Sequence, residues 1–491
     1  MVYCLFFLGL TATGLVGPDE PRYAAIGREM ARSGDWVTPR LWGEAWFEKP
    51  ALIYWMSGWA FRAGLGEDWA PRLPVALLSV AFLAFYGWVL RREFGTRPAL
   101  SATAMLATSG AWLSLSHVGV TDLPLAAAFS AAMLLWLPLV RQPLPAQGAP
   151  GRGAAAGSEP RVGALWAASG HAAAAGALLG LAVLAKGLVP LVLAAPLLWA
   201  ARRRLRELLH PAALAAFLLV AAPWYLLCWK ANGWRFIEEF FLRHHFSRFS
   251  TEALQHPQPW WFYLPVLLAG LFPWTPLLPL LLRPRGYQDP RRRFLLLWIL
   301  FGLVFFSVAV NKLPGYLLPL VPAVCVLLGL ELAEARRARA LLAASALLMA
   351  VLPLAAAILP EALLEGLRRA HAGPIHWAAM APPVAAAALV WWLEARGRRL
   401  AAVSVVVVVM TAGVAWLKLT AFPAVDRTAS ARAFWRQAAR GAEEICVAEA
   451  NRGWVYGLNY YAGHPLPDCR ESPRPWRLRQ SPAGARLERA E

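Results

Sequence analysis

The chain returns repeatedly to apolar runs of about 16 to 23 residues, near or at the length a helix needs to cross a hydrocarbon core. About thirteen such runs are read as spans, at 1–16, 69–90, 98–116, 120–140, 163–185, 188–201, 211–230, 259–282, 293–311, 314–333, 340–359, 377–394 and 400–421. A chain that is 59% hydrophobic and 16% charged, with a mean hydropathy of +0.47, is excluded from the ordinary soluble class. The sequence therefore predicts an all-α polytopic membrane protein. Spans meet in tight reversals around Lys186 and Lys312. The first run is short and lacks both the basic flank and the small-residue cleavage site of a secretory signal, which leaves a true start upstream of Met1 open.

Arginines fall in alternate connections: Arg91 and Arg92, Arg202 to Arg204, Arg291 to Arg293, Arg336 and Arg337, and Arg396 to Arg399. The positive-inside rule puts these in the cytoplasm. Topology thus accounts for most of the net charge of +19, and no nucleic-acid partner is expected. The opposite, external side then receives the 17–68 loop, the Gly119–Asp122 turn, Lys186, the 231–258 loop, Lys312 and the C-terminal tail.

The 17–68 loop is the longest polar passage in the first half of the chain. It opens GPDEPRYAAIGREM, where Asp19 has the composition of a helix N-cap and Glu20 and Pro21 suit a first turn. Tyr23, Ile26 and Met30 follow at helical spacing, opposite Arg22, Arg28 and Glu29. This reads as a short amphipathic helix lying on the bilayer surface. Glu48 and Lys49 directly precede Pro50, which opens a second helix, ALIYWMSGWAF. A lysine at a helix N-terminus is a natural phosphate seat.

Other polar residues stand at span ends. Asp122, in TDLPL, occupies a first helical turn that Thr121 caps; it is either interfacial or lines a cavity. Lys186, in AKGLVP, has the same two readings. The loop FIEEFFLRHHFSRFS offers Arg243, His244, His245 and Arg248 to an anionic headgroup, although adjacent histidines point apart and make no metal motif by themselves. In NKLPGYLLPLVP, Lys312 either snorkels or, with Tyr316, borders a cavity at an irregular span entrance.

The segment 141–162 is rich in Gly, Ala and Pro and reads as a disordered cytoplasmic linker. After Pro423 the hydropathy drops, and 422–491 reads as a small external α/β domain in which a Cys446–Cys469 disulfide is open. Cys4, Cys228 and Cys325 lie in spans and are expected to be inert.

GPDEPRYA, EKPALIYW, TDLPL, AKGLVP and KLPGYLLPLVP, in that order, resemble the bacterial aminoarabinose transferases of lipid A and the related protein mannosyltransferases, over roughly 1–420. That resemblance implies a GT-C-like glycosyltransferase in the bacterial inner membrane, working as a monomer with its active site facing the periplasm. The implied donor is an undecaprenyl-phosphate sugar, and the acceptor is lipid A, another glycan or a protein. It implies Asp19 and Asp122 as catalytic carboxylates, joined here by neighbouring Glu20. Lys49, Arg22 and Arg248 become donor-phosphate ligands, with Lys312 and Tyr316 facing the same cavity. No cofactor is assigned and the metal requirement stays open; Glu48 with His245 is a candidate pair for a divalent metal such as zinc.

The residues suit that chemistry unaided. Breaking a sugar–phosphate bond builds positive charge on the ring, which carboxylates stabilise, and negative charge on the departing phosphate, which Lys or Arg stabilises. A phosphate acceptor needs no strong base, whereas a Ser or Thr hydroxyl would have to give its proton to Asp19. Protein O-mannosylation and, in another class, a lipid or solute transporter remain alternatives; no internal repeat of the kind transporters often show is visible.

Overall fold

The computed structural model describes residues 1–141, 162–246, 258–438, 444–481 and 484–490. Arg248 and nearly all of the expected 141–162 linker therefore lie outside the described residues, as does the side chain of His245. Among the described residues eight helices are long and apolar enough to cross a membrane, or up to nine if the bent pair Trp260–Gly270 and Thr275–Leu282 is one span. The protein is a multi-pass membrane protein.

Among the described residues, several of the thirteen apolar runs expected to span are broken. Residues 1–16 form only a short helix, Val2–Phe6, followed by turns. The run at 98–116 divides at Ser109, whose extended backbone separates Thr96–Thr108 from Gly110–Leu115. The 188–201 run divides at Ala194, and the 259–282 run folds back on itself by 113°. Length and apolarity set what a segment can do in lipid; proline and small residues decide whether it runs straight.

In chain order the elements that position the site are α1 (Asp19–Ser33), α2 (Leu52–Arg62), α3 (Leu73–Phe94) and α4 (Asp122–Leu135). They are followed by α5 (Val162–Lys186), α6 (Pro211–Ile237), α7 (Pro290–Val308), α8 (Val321–Glu334) and α9 (Arg399–Thr428). A two-residue hairpin, β1 (Arg40–Leu41) with β2 (Glu44–Ala45), lies between α1 and α2. The tail adds β3 (Ile445–Glu449), α10 (Arg452–Ala462), β4 (Trp476–Ser481) and β5 (Gly484–Arg489). β3 runs parallel to β4, and β4 antiparallel to β5. Cys446 and Cys469 form a disulfide that ties β3 to the segment before β4.

The arginine-rich connections converge at one end. Arg291 donates to the Glu93 carbonyl at 2.6 Å, Arg204 to that of Leu139 at 3.3 Å, and Arg399 to that of Leu332 at 2.6 Å. Arg292 pairs with Glu331 at 2.8 Å and with Glu334. Connections that are distant in sequence thus share one surface, as the charge pattern requires.

Helix α1 does not lie exposed on a surface. Tyr23, Ile26 and Met30 are buried on one side, and Arg22 and Arg28 are buried as well. It packs so closely on α2 that a Cβ at Gly27 would come within 2.9 Å of the Tyr54 carbonyl oxygen. Its polar face is covered by the tail: Arg28 donates to the Tyr460 carbonyl at 2.7 Å and sits 4.4 Å from that ring's centroid. An amphipathic pattern says only that two faces differ, and here protein rather than lipid headgroups meets the second. Asp19 is also not the N-cap: it is the first helical residue, behind Pro18. Helix α9 carries on through Pro423 to Thr428, so the last span passes the expected boundary at 421.

Candidate functional site

The site grows from the start of α1. Because successive helical residues point about 100° apart, Asp19 and Glu20 face different surroundings. Glu20 turns inward and is 1% exposed. Arg72 meets it through Nε to Oε1 at 2.7 Å and through a second nitrogen to Oε2 at 2.8 Å. The remaining Arg72 hydrogens reach the carbonyls of Leu10, Thr13 and Gly14. Glu20 also accepts from the Gly119 and Val16 amides at 2.9 and 3.2 Å. Both Glu20 oxygens are thus engaged, which suits support rather than contact with a sugar. The Gly119 bond has a positional consequence: it anchors the turn that leads into Asp122 beside the turn that carries Asp19.

Asp19 remains accessible, its side chain 41% exposed, and it pairs with Arg22. Arg22 donates to Glu48 Oε2 at 2.8 Å and to the Pro18 carbonyl at 3.0 Å. Lys49 Nζ lies 3.1 Å from Glu48 Oε1. Asp19, Arg22, Glu48 and Lys49 therefore form one cluster, with two carboxylates balanced by two cations. Burial disfavours the Arg22 charge, but Glu48 and then Asp19 outweigh it and hold its pKa above the ordinary arginine value. Burial, reinforced by Glu48, raises the phenols of Tyr23 and Tyr54, so both stay protonated beside the cluster.

A second cluster forms where α4 begins. Thr121 stands at the N-cap without a side-chain capping bond, and Asp122 Oδ1 is 2.6 Å from Lys186 Nζ at the end of α5. The ammonium also lies 4.5 Å from the centroid of the Tyr316 ring. Gly315 makes room for this arrangement, since a Cβ there would stand 2.7 Å from Asp122 Oδ1. The clusters share packing through Ala51, two residues after Lys49, and Leu184, two before Lys186, within one apolar core with Phe47 and Trp224. Helix α6 fixes the intervening loop by Trp224 Nε1 to the Val37 carbonyl at 2.9 Å and Asn232 to Thr38 at 2.9 Å.

The ammonium of Lys312, expected beside the donor phosphate, is engaged by backbone carbonyls. Its Nζ donates to the carbonyls of Ala309 and Gln258 at 2.5 and 2.9 Å. Of the pair expected for a metal, Glu48 is already balanced by Arg22 and Lys49. Among the described residues no group of three His, Cys, Asp or Glu is placed to hold a metal ion.

Two contributors escaped the sequence reading as site residues. Lys186, which the sequence allows as either interfacial or cavity-lining, is the partner of Asp122. Tyr456, in a tail given no chemistry, places its ring centroid 5.0 Å from the Arg22 guanidinium. The aromatic run GWVYGLNYYAG was the available signal, and it carried no information about what it would face.

Known proteins match this arrangement. Residues 1–235 match the family described as dolichyl-phosphate-mannose-protein mannosyltransferase. The undecaprenyl phosphate-alpha-4-amino-4-deoxy-L-arabinose arabinosyl transferase of Pseudomonas paraeruginosa is 34% identical over 352 residues, 69% of this chain and 59% of that protein. The chain is similar to these transferases. The enzyme of the same name from Pectobacterium atrosepticum is 34% identical over 328 residues, 64% of this chain and 54% of its own length. The chain thus spans less than two thirds of these relatives. The crystal structure of ArnT from Cupriavidus metallidurans bound to undecaprenyl phosphate superposes with a TM-score of 0.76 at 26% identity, covering 98% of this chain and 92% of ArnT. The archaeal oligosaccharyltransferase AglB from Archaeoglobus fulgidus shares the fold at a TM-score of 0.50 and 13% identity, over 95% of this chain and 64% of its own. These likenesses support the all-α, GT-C-like architecture.

Proposed function

We propose that the chain is a glycosyltransferase of the bacterial inner membrane that moves 4-amino-4-deoxy-L-arabinose from undecaprenyl phosphate to a phosphate of lipid A on the periplasmic side. The observation that carries the reading is the pairing of each candidate carboxylate, accessible Asp19 and mostly enclosed Asp122, with a cation that a phosphate can take over. The names of the relatives and the undecaprenyl phosphate in the ArnT crystals supply the donor class.

The mechanism follows from charge exchange. The donor phosphate draws Lys49 and Arg22 away from Glu48 and Asp19. The released carboxylates then face the sugar as its anomeric C–O bond breaks and positive charge spreads over the ring. An oxygen of the acceptor phosphate forms the new bond to the anomeric carbon, and undecaprenyl phosphate leaves with the electron pair. The acceptor oxygen is already ionised, so no proton has to be removed. Arg248 is proposed as a further phosphate ligand. Glu48 and His245 are proposed for a divalent ion only as an addition to this scheme.

The match of the first half to the mannosyltransferase family favours one second reading, transfer to a protein hydroxyl. There Asp19 takes the proton. The test is purified protein with labelled polyprenyl-phosphate sugar and either lipid A or peptide. Transfer to lipid A that is lost in Asp19→Asn and Lys49→Ala supports the proposal, and transfer to peptide alone replaces it with the second reading. Full activity in both variants removes the site.

A further inference from the structure

At the arginine-rich end, which the positive-inside rule puts in the cytoplasm, a cavity of about 410 Å³ opens where four helix ends meet. Its lining comes from the start of the helix Thr96–Thr108, the end of α8, the end of the helix Ala381–Ala395 and the start of α9. Arg97, Arg336, Arg398 and Arg399 all line it. Arg399 is taken by Glu394, whose Oε1 lies 2.9 Å from its Nε, so that pair is neutral. Among the described residues no carboxylate meets Arg97, Arg336 or Arg398, and three positive charges therefore border the cavity without compensation. Two further features are donors that lack an acceptor. Hydrogen bonding in α9 begins with the Ala402 amide, 3.0 Å from the Arg398 carbonyl, and no side chain caps the helix. The amides of Arg399, Leu400 and Ala401 thus have no partner within the helix, and all three residues are in the lining. Ser101 lines the same cavity, is 3% exposed, and its hydroxyl makes no hydrogen bond among the described residues. An oxyanion with several acceptor atoms meets guanidiniums, first-turn amides and a hydroxyl together.

We infer that this cavity seats the phosphate of an anionic phospholipid of the cytoplasmic leaflet. Its level in the membrane favours a lipid over a soluble anion. Trp391 and Trp392, just before Glu394, are 45% and 44% exposed. Arg339 and Arg396 lie over their rings, 4.9 and 4.1 Å from the centroids. Exposed tryptophans with basic neighbours mark the headgroup level of a bilayer. From Ala401 the outward face of α9 continues to exposed Val408, two turns on, which gives acyl chains leaving the cavity an apolar path. Charge then selects among lipids. A zwitterionic headgroup brings an ammonium that three unpaired guanidiniums repel, whereas phosphatidylglycerol brings a phosphate and no cation. None of these residues belongs to either ion-pair cluster, so the seat is independent of the transfer chemistry.

The test is native mass spectrometry of the full chain in detergent, titrated with phosphatidylglycerol, phosphatidylcholine or inorganic phosphate. Phosphatidylglycerol is expected to bind about tenfold more tightly than phosphatidylcholine. Arg336 and Arg398 are exposed, and Arg336→Met with Arg398→Met is expected to weaken phosphatidylglycerol about thirtyfold, roughly fivefold for each cation near a lipid phosphate. Arg203→Met with Arg206→Met, which removes equal charge outside this cavity, should leave its affinity unchanged. An equal loss in that control pair, or equal affinity for phosphatidylcholine, overturns the inference by reducing the site to diffuse surface charge. Displacement of the lipid by inorganic phosphate overturns it by making the ligand a soluble anion. Should the double Met variant not fold, the unaltered chain still decides. Phosphatidylglycerol with a diazirine on its headgroup is expected, on illumination, to label peptides containing 333–336 or 394–401, and labelling confined to other peptides rejects the seat.

Discussion

Lys186 Nζ lies 2.6 Å from Asp122 Oδ1, joining the end of α5 to the first residue of α4. Both side chains are mostly enclosed, at 14% and 18% exposure. Removing the lysine leaves a carboxylate without its counter-charge and takes the cation from the Tyr316 ring. Lys186→Met is expected to lower kcat/KM about a hundredfold, roughly 2.7 kcal/mol. Lys186→Arg should recover part of the loss. Steady-state kinetics decides, and wild-type values in Lys186→Met would deny the pair a role.

The Glu20–Arg72 pair is a matter of stability rather than chemistry. Removing one member of a buried, fully bonded ion pair costs about 3–5 kcal/mol because the other charge is stranded. Arg72→Met is therefore expected to lower the unfolding midpoint in detergent more than Arg72→Met with Glu20→Gln, which strands no charge. Equal midpoints for the single and double variants would mean that the pair is not coupled.

Tyr456 reaches Arg22 from the tail. A cation–π contact contributes about 0.5–2 kcal/mol. Tyr456→Ala should raise the donor KM several-fold with little change in kcat, and Tyr456→Phe should behave as wild type because it keeps the ring. A Phe variant as impaired as Ala would point to the hydroxyl instead.

His117 gives a pH dependence with a definite sign. Burial, helped by the Lys418 ammonium 2.7 Å away, pushes the imidazole down to about 3. The unfolded chain takes up this proton near pH 6.5 and the folded chain does not until about 3, so the unfolded state binds more protons between those values. This contribution to stability is complete above about pH 6.5 and declines as pH falls toward 3. Melting followed from pH 8 to 5 should show the decline, and His117→Gln should flatten it. An identical pH profile in the variant would assign the decline to other groups.

Much of the site was written in the sequence because it is a matter of local pattern. The 17–68 loop, the TDLPL turn and the KLPGYLLPLVP entrance declared themselves by carrying charge where lipid excludes it. The division of labour among neighbours was not visible. Asp19 and Glu20 are adjacent acids of equal chemistry, and only the direction in which α1 presents each one separates an accessible carboxylate from one fixed on Arg72. Likewise Lys312 and Tyr316 share a motif but face different surroundings.

Hydropathy and arginine spacing by themselves determined that this chain lives in a bilayer and which connections share a side, because the cost of burying charge in hydrocarbon is paid residue by residue. Tertiary structure alone decided how many apolar runs stay straight enough to span, that the tail rather than lipid covers α1, and which cation each carboxylate meets. Those outcomes depend on packing between segments hundreds of residues apart, as between Arg28 and Tyr460, and no local pattern encodes a partner at that distance.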